Sequence, residues 1–258
     1  HEYPMFTSCC PGWVSFIKSQ YPELAGNLST AKSPQQMFGA VAKTYFAKKA
    51  GIPAEKIFSI SIMPCVSKKR EATLPDMYSC GAGPDVDLVL TTREFGRLVR
   101  AEHIRPELLE ETDFDSQLGV STGAGVIFGA TGGVMEAALR TAAYVLTGEN
   151  PVPDFQTVRG MEGRKESTFR IGGRELSTCT VSGLKNARDM LEDIKNGKVH
   201  YDFVEVMACP GGCVGGGGQP IKDGEELAKE RAPKLYELDR NRKIRYSHEN
   251  PEVQRLYK

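Results

Sequence analysis

Four cysteines occur in short loops that also contain glycine or proline, and their thiolates are the ligands that iron–sulfur clusters use. They are Cys10, Cys65, Cys209 and Cys213. Because the loops lie far apart in the sequence, the fold must bring them together. Each loop is surrounded by residues that a purely electron-storing cluster would not need. The pattern therefore predicts redox chemistry at a metal centre.

A tetrahedral zinc site is the alternative for the same cysteines. Zinc modules usually contain two pairs of closely spaced cysteines, whereas only Cys209 and Cys213 form such a pair here. A 4Fe–4S cube accepts ligands from scattered loops, so the spacing favours the cube over zinc.

Cys9 directly precedes Cys10 and could face the site without ligating it, because neighbouring residues of a loop point in different directions. The pKa of a free thiol, about 8.5, is readily lowered by its surroundings, so such a thiol can exchange protons. The alternative is that Cys9 is inert. Cys179 and, less firmly, Cys80 are interpreted as small buried hydrophobic residues.

Lys68 follows Cys65 by three residues, and Glu71 lies three further on. One interpretation is a solvated charged face, which is typical of a run such as Ser67-Lys-Lys-Arg-Glu71. The other is that the Lys68 ammonium donates a hydrogen bond to an anionic ligand beside the cluster. The pattern leaves both open.

The composition is that of a globular protein whose positive and negative charges balance, so it has no strong net electrostatic field. The 258 residues contain 33 Lys plus Arg and 33 Asp plus Glu, which argues against nucleic acid or an anionic membrane as partner. No apolar run approaches the roughly 18 residues that cross a bilayer. Seven cysteines are too few for a disulfide scaffold and no cleavable signal is visible, so we expect a cytoplasmic location. From the initial His1 we expect a fragment or a processed chain.

Hydrophobic periodicity and turn residues predict alternating helices and strands. The predicted helices cover residues 11–18, 34–50, 92–102, 134–147 and 184–196. The predicted strands cover residues 57–63, 86–91, 169–171, 179–181 and 203–207. Gly172-Gly173 is predicted to form a hairpin turn, and residues 221–258 a charged, partly helical tail without strong caps.

This alternation predicts an α/β fold with two lobes of mostly parallel sheet flanked by helices, and the metal cluster in the cleft between them. We expect the boundary between the lobes near residues 113–121. In such folds ligands gather beyond the carboxyl ends of strands. Cys65 and Cys209 each follow a predicted strand directly.

Three segments together resemble the signature motifs of the FeFe-hydrogenase catalytic domain. They are Thr7-Ser-Cys-Cys-Pro-Gly-Trp13, Met63-Pro-Cys-Val-Ser-Lys-Lys-Arg-Glu71 and Glu205-Val-Met-Ala-Cys-Pro-Gly-Gly-Cys-Val-Gly-Gly-Gly-Gly-Gln-Pro220. The likeness continues through Ser33-Pro-Gln-Gln36 and Gly125-Val-Ile-Phe-Gly-Ala-Thr-Gly-Gly-Val-Met-Glu136. It covers nearly the whole chain, so residues 1–258 are expected to form one hydrogenase catalytic domain.

The resemblance implies an H-cluster, which is a 4Fe–4S cube joined to a di-iron unit bearing CO, cyanide and a bridging azadithiolate. The implied ligands of the cube are Cys10, Cys65, Cys209 and Cys213, and Cys213 would also bridge to the di-iron unit. Cys9 would move protons to and from the azadithiolate amine, with Ser29 as a link in the proton path. Lys68 would hydrogen-bond a cyanide. The residues implied to line the di-iron pocket are Met63, Met207, Gln35, Pro34 and Phe128.

The implied reaction is the reversible interconversion of H2 with two protons and two electrons. The implied partners are ferredoxin, or redox subunits with accessory iron–sulfur clusters, and the maturation proteins that load the di-iron unit. Residues that normally precede the first motif, including acidic members of the proton path, are absent from this sequence. A ferredoxin-like run of four cysteines is absent as well, so electrons are expected from other segments or subunits.

The alternative function is a non-catalytic relative, an iron–sulfur assembly or H2-sensing protein that kept the fold. Such a protein would be expected to lose Cys9, Lys68 or the Gly-Gly-Gly-Gln run, and all three features are present here. A zinc-stabilised interaction module is the third possibility.

Overall fold

The structure is a computed structural model that describes residues 4–115, 118–152, 155–161 and 163–258. The strands are β1 (Met5–Phe6), β2 (Ile60–Met63), β3 (Leu88–Thr91), β4 (Arg164–Ile171), β5 (Arg174–Ser182) and β6 (Phe203–Met207). The α-helices are α1 (Pro11–Gln20), α2 (Pro34–Val41), α3 (Ala47–Ala50), α4 (Ser67–Glu71), α5 (Thr92–Ala101), α6 (Gly123–Ile127), α7 (Gly133–Thr147), α8 (Leu184–Lys195), α9 (Ala228–Asn241) and α10 (Pro251–Leu256). A π-helical turn (Ala42–Phe46) joins α2 to α3.

The chain divides into two compact units. The first unit comprises His1–Ala31, Ser121–Gly215 and Leu227–Lys258, and the second comprises Lys32–Val120 and Gly216–Glu226. The lobe boundary near residues 113–121 and the cleft between lobes stay predictions.

The first unit contains a four-stranded sheet in the order β1-β6-β5-β4. Strands β1 and β5 pair with β6 in parallel, and β4 pairs with β5 in an antiparallel hairpin. At the hairpin turn Gly172 and Gly173 have φ values of 56° and 78°, a left-handed conformation that glycine adopts without strain. The predicted hairpin is confirmed. Both strands are longer than predicted, because polar side chains alternate along them and leave only short apolar runs in the sequence.

Helices cover both faces of this sheet. Because successive strand residues point to opposite faces, Val204 and Val206 of β6 enter the core beneath α1 and α8. Met135 and Leu139 of α7 belong to a second apolar cluster with β4. Cys179 is fully buried in the first cluster, where burial raises the pKa of its thiol to about 12. The predicted burial is therefore confirmed for Cys179, whereas it is wrong for Cys80, which is partly exposed.

The second unit contains a two-stranded parallel sheet, β2 beside β3. Thr91 caps α5 in a capping box, since its side chain accepts a hydrogen bond from the Glu94 amide while the Glu94 carboxylate accepts one from the Thr91 amide. The helices and parallel strands of both units confirm the predicted α/β class.

Two local predictions need correction. Strand β2 begins at Ile60 rather than at residue 57, because the chain before it turns through a 3₁₀ helix (Ala54–Lys56). In the tail, the Asn250 side chain accepts hydrogen bonds from the amides of Glu252 and Val253 at the start of α10. The prediction that the tail lacks strong caps is therefore wrong for this helix. Over the described ranges, no helix is long and apolar enough to span a membrane.

Candidate metal centre

Thr7 fixes the first cysteine motif to strand β6 through both its backbone amide and its side-chain hydroxyl. The Thr7 amide donates to the Val204 carbonyl (3.0 Å), and its hydroxyl accepts from the Val206 amide (3.2 Å). The indole N–H of the fully buried Trp13 donates to the Thr7 carbonyl (3.0 Å). The two adjacent cysteines thus follow β1 at the carboxyl edge of the sheet, where parallel strands direct their loops to the same side.

The first cysteine of the third motif lies at that same edge, because Cys209 follows the end of β6 by two residues. The Ala208 amide donates to the Cys10 sulfur at 3.4 Å, a contact that joins the first and third motifs. Gly12 permits this approach, since a Cβ at this position would lie 3.0 Å from the Ala208 Cβ. Cys10 is therefore placed against the loop that carries Cys209.

The loop of residues 209–215 is held against the turn that precedes α7. The Thr131 amide donates to the Gly211 carbonyl (3.1 Å), and the Val214 amide donates to the Gly129 carbonyl (2.9 Å). Gly212 has φ 92°, and a Cβ there would lie 2.7 Å from the Thr131 nitrogen. The cysteine between Gly212 and Val214 is consequently fixed by backbone contacts on both sides.

Three further predicted site residues lie beside these loops in the first unit. Met207 is buried and ends β6, and the half-buried Phe128 directly precedes the Gly129 that receives the Val214 amide. The Ser29 amide donates to the Phe6 carbonyl (2.8 Å), so Ser29 lies beside the strand that leads into Cys9.

Glu205 of the third motif is a buried carboxylate whose contacts the sequence analysis missed. It accepts hydrogen bonds from the Gly132 and Met135 amides, both at 2.7 Å, and so ties β6 to the N-terminus of α7. Burial raises the pKa of Glu205 to about 7, although these hydrogen bonds favour the charged form. The signal in the sequence that could have revealed this role is an acidic residue between two valines in a predicted strand.

In the second unit, Cys65 follows β2 by two residues, as predicted. The Gly218 amide donates to the Pro64 carbonyl (2.9 Å), and the Arg93 amide donates to the Gly218 carbonyl (3.0 Å). A Cβ at Gly218 would lie 2.9 Å from the Cys65 nitrogen. The absence of a side chain at Gly218 therefore lets its backbone lie close to the backbone of Cys65.

Lys68 and Glu71 are buried, which excludes the interpretation of this pair as a solvated face. The Lys68 ammonium lies 3.0 and 3.1 Å from the two Glu71 carboxylate oxygens. The same carboxylate accepts from the Ser33 hydroxyl (2.8 Å) and the Gln35 amide (3.3 Å), and the Gln35 oxygen accepts from Ser61 (2.7 Å). The predicted site residues Lys68 and Gln35 therefore belong to one polar network.

The other predicted pocket residues of this unit differ in exposure. Met63 packs against a small cluster with Val86 and Val89, whereas Pro34 is exposed at the start of α2. Gln36 is fully buried, and neither amide atom has a hydrogen-bond partner in the described part of the chain. A buried amide without a partner costs about 1–3 kcal/mol. This orphaned group is compatible with a bound non-protein group nearby.

Four cysteine thiolates are the donor set that a 4Fe–4S cube uses. Cys10, Cys209 and Cys213 lie on loops at one edge of the first-unit sheet, and Cys65 belongs to the second unit. All four side chains are partly exposed, unlike Cys179. Among the described residues, no three His, Cys, Asp or Glu side chains converge on a single ion position. An iron–sulfur cube spreads its cysteine ligands over different iron atoms, so it does not require such convergence.

Residues 1–217 match the family model of the iron-only hydrogenase large subunit, C-terminal domain. The chain belongs to this family. Residues 225–258 match a second model, the iron hydrogenase small subunit. The first family model therefore covers the four motif cysteines Cys10, Cys65, Cys209 and Cys213, and the second covers most of the tail.

Curated relatives and a solved structure agree with this assignment. The chain is 51% identical over 99% of its length to the NADP-reducing hydrogenase subunit HndD of Solidesulfovibrio fructosivorans, and 46% identical over 88% to the periplasmic Fe hydrogenase large subunit of Nitratidesulfovibrio vulgaris. It covers 44% and 54% of these relatives, about half of each. An apo FeFe-hydrogenase from Chlamydomonas reinhardtii superposes with a TM-score of 0.83 at 39% identity, covering 98% of this chain and 71% of that one.

A different group of relatives is less similar. The cytosolic iron-sulfur assembly component 3 of Rattus norvegicus is 34% identical over 98% of this chain, which covers 54% of that protein. The relatives of this chain thus include proteins with hydrogenase names and proteins with assembly names, and identity is higher to the former.

Proposed function

We propose that this chain forms the catalytic core of an FeFe-hydrogenase, which interconverts H2 with protons and electrons. The observation that carries the proposal is the contact of the Ala208 amide with the Cys10 sulfur, because it joins the first and third motifs at one sheet edge. The 51% identity to a hydrogenase subunit supports the same function.

The proposed cofactor is an H-cluster, and the residues that would hold it belong to the three motifs. Cys10, Cys65, Cys209 and Cys213 would ligate a 4Fe–4S cube, with Cys213 also bridging to a di-iron unit. When bound, the di-iron unit with its CO, cyanide and azadithiolate ligands would supply the chemistry of H2 cleavage and formation. The Ala208 amide, which donates to the Cys10 sulfur, would stabilise the negative charge of that ligand.

Proton movement is assigned to side chains of the first unit. The Cys9 thiol would hold and release a proton, because it adjoins Cys10 without being assigned as a ligand. Ser29 would pass protons onward, and its amide bond to Phe6 keeps it beside the strand that leads to Cys9. A hydroxyl can donate and accept at the same atom, as a relay requires.

The remaining residues would position and seclude the cofactor. Glu71 holds the Lys68 ammonium in place, and Lys68 would donate to a cyanide ligand. The residues proposed to line the di-iron pocket are Met63, Met207, Gln35, Pro34 and Phe128. Their largely apolar surfaces would exclude water and limit competing reactions.

The proposed electron partner is ferredoxin or a redox subunit with accessory iron–sulfur clusters. Maturation proteins would load the di-iron unit. The expected cytoplasmic location stays a prediction, and one relative carries a periplasmic name.

The proposal is tested by infrared spectroscopy of the matured protein, because CO and cyanide bound to iron absorb where protein does not. We expect those bands in the wild-type protein and in Cys9→Ala, with H2 turnover lost only in the variant. Cys80→Ala is the matched control, since this partly exposed cysteine lies outside the motifs. Turnover that survives in Cys9→Ala would remove the proton role.

A second variant separates the two halves of the cofactor. Cys213→Ser should abolish retention of the di-iron unit, so the CO and cyanide bands should be absent. Intact bands in this variant would contradict the bridging assignment. The alternative, a non-catalytic assembly or sensing protein, is favoured by the 34% identity to an assembly component and predicts a cube without these bands even in the wild-type protein.

A further inference from the structure

Strand β4 is the last strand of the first-unit sheet, and no second strand pairs with its outer edge among the described residues. The sheet order is β1-β6-β5-β4, and all eight residues of β4 pair with β5 on the inner side. A groove of about 530 Å³ lies beside β4 and is lined by Thr157 and residues 164–169. The backbone N–H and C=O groups along such an edge can bind a strand of another chain. The outer edge of β4 is therefore a candidate interaction surface.

Two hydrogen bonds of the sheet show which backbone groups of β4 point outward. The Ser182 amide donates to the Gly163 carbonyl (2.8 Å), so the backbone groups of Gly163 point toward β5. The Asp202 amide donates to the Ser177 carbonyl (2.7 Å), so Ser177, which is opposite Thr168 in the register, points away from β4. Backbone direction alternates along a strand. The backbone groups that point to the outer edge are therefore those of Arg164, Glu166, Thr168 and Arg170.

The side chains of Glu166, Thr168 and Arg170 share one face of the sheet, because side chains alternate along a strand, and all three are exposed. The Glu166 carboxylate accepts a hydrogen bond from the Tyr201 hydroxyl (2.6 Å) and lies 2.9 Å from the Arg164 guanidinium. About half of the Glu166 side chain (51%) is still exposed, and Arg170 is 79% exposed. A negative and a positive charge therefore lie at equal distances in sequence on either side of Thr168.

An antiparallel pair of two β4 strands centred on Thr168 brings these charges together. Each Glu166 would lie opposite the partner's Arg170, with a Cβ separation of about 4.5–5.5 Å at which opposite charges attract. The two Thr168 side chains would lie opposite each other, where their hydroxyls can form a hydrogen bond. Two other registers also engage three or more of the outward residues. One places Arg164 opposite the partner's Arg170, and the other places Glu166 opposite the partner's Glu166, so like charges disfavour both.

We propose that the outer edge of β4 is an interaction surface for a second copy of this chain, which pairs with it in the antiparallel register centred on Thr168. Charged side chains on an edge strand usually prevent pairing, but here they favour one register and disfavour the other two. A two-fold axis makes the contact self-complementary and closes the assembly at two copies. Because a contact between two strands lies at the small end of protein interfaces, we expect a weak, reversible dimer. The pairing is independent of the proposed function.

Sedimentation velocity of the 258-residue chain over a range of concentrations tests the pairing. Wild-type protein should pass from monomer to dimer as its concentration rises. Arg170→Glu should raise the dissociation constant of the dimer about tenfold or more, because two attractive cross-strand pairs become repulsive. Glu166→Arg should have the same effect for the same reason. Arg97→Glu makes the same charge change at an exposed position of α5, so it is the matched control and should dimerise like the wild type.

A mixture of the two single variants distinguishes a lost surface from a damaged fold. The β4 edge of Glu166→Arg carries positive charge at both positions, and that of Arg170→Glu carries negative charge at both. The mixture should therefore form dimers at concentrations at which each variant alone is monomeric. Wild-type protein that is monomeric at every concentration, or a mixture that dimerises no better than its components, overturns the proposal.

Hydrogen exchange locates the contact in the same samples. The amides of residues 164–171 should exchange more slowly at high than at low protein concentration in the wild type and in Arg97→Glu, and at one rate in Arg170→Glu. Slower exchange in another segment instead would place the dimer contact elsewhere, and protection of β4 at every concentration would place another segment on this edge. Either result overturns the self-pairing. These measurements need no loaded cofactor, so a failed hydrogenase assay would not be mistaken for failed pairing.

Discussion

In the first unit the cysteine loops are held mainly by hydrogen bonds to their backbone groups and by close contacts at glycines, whereas in the second unit Lys68 is held by side-chain charge. Thr131 and Gly129 bind the loop of residues 209–215 through main-chain groups, the Thr131 amide and the Gly129 carbonyl. Lys68 instead depends on the Glu71 carboxylate and its neighbours. Ligand loops thus tolerate little change in backbone geometry, while the position of a charged side chain depends on its partners. Three substitutions test this contrast.

Gly212→Ala should have the largest effect. The added Cβ would meet the Thr131 nitrogen at 2.7 Å, and φ at 92° strains any L-residue. We expect the free energy of unfolding to fall by about 4 kcal/mol, measured by urea denaturation. Gly217→Ala is the matched control in the same glycine-rich run, because its Cβ would meet nothing within 4 Å. Equal losses in both variants would show that the backbone cradle has no special role.

Glu205→Gln should change how stability depends on pH. The folded-state pKa of Glu205 is raised to about 7 by burial, above the ordinary carboxyl value near 4.5. The folded state therefore binds this proton more tightly, and the stability that Glu205 contributes is full below about pH 4.5 and lost as pH rises through 7. The change amounts to about 3 kcal/mol.

Urea denaturation at pH 5 and pH 7.5 measures this effect. The difference in unfolding free energy between the two pH values should shrink in Glu205→Gln and persist in Glu175→Gln, whose carboxylate is 69% exposed. An unchanged difference in Glu205→Gln would mean that this carboxyl does not titrate in the window.

Lys68→Met should have the smallest effect of the three, about 2 kcal/mol, because Ser33 and Gln35 still donate to the Glu71 carboxylate. Lys69→Met is the control, since Lys69 pairs with Glu94 where both side chains are about 40% exposed, and such pairs contribute less than about 1 kcal/mol. Thermal denaturation would compare the two. Indistinguishable melting temperatures would argue that the Lys68 pair is no stronger than a surface pair.

Local pattern predicted most of the helices and strands, because apolar periodicity is set by residues near in sequence. The helix at residues 184–196 and the strand at 203–207 closely match α8 and β6. Strand β1 was missed since it contains only two residues, and its pairing with β6 is a contact across the whole chain. The π-helical turn after α2 also left no sequence signal.

The cysteine motifs could be predicted from the sequence, but their supporting contacts could not. Thr7 contacts β6 through its backbone amide and its hydroxyl, and Gly129 contacts the Val214 amide through its carbonyl. These bonds join residues that are far apart in the sequence, so the spacing of residue types does not predict them. The sequence around Lys68 and Glu71 is equally typical of a solvated surface pair and of a buried site pair. Only their burial by elements distant in the sequence distinguishes the two interpretations. The roles of the site residues toward the cofactor stay predictions.

Cys179 offers a probe that is already built into the molecule. Its thiol is enclosed in the first-unit core, and at neutral pH almost none of it is ionised because its pKa is raised to about 12 by burial. Alkylating reagents react with thiolate, so they should modify the partly exposed cysteines first. The rate at which Cys179 becomes labelled then reports how often the sheet and its covering helices open.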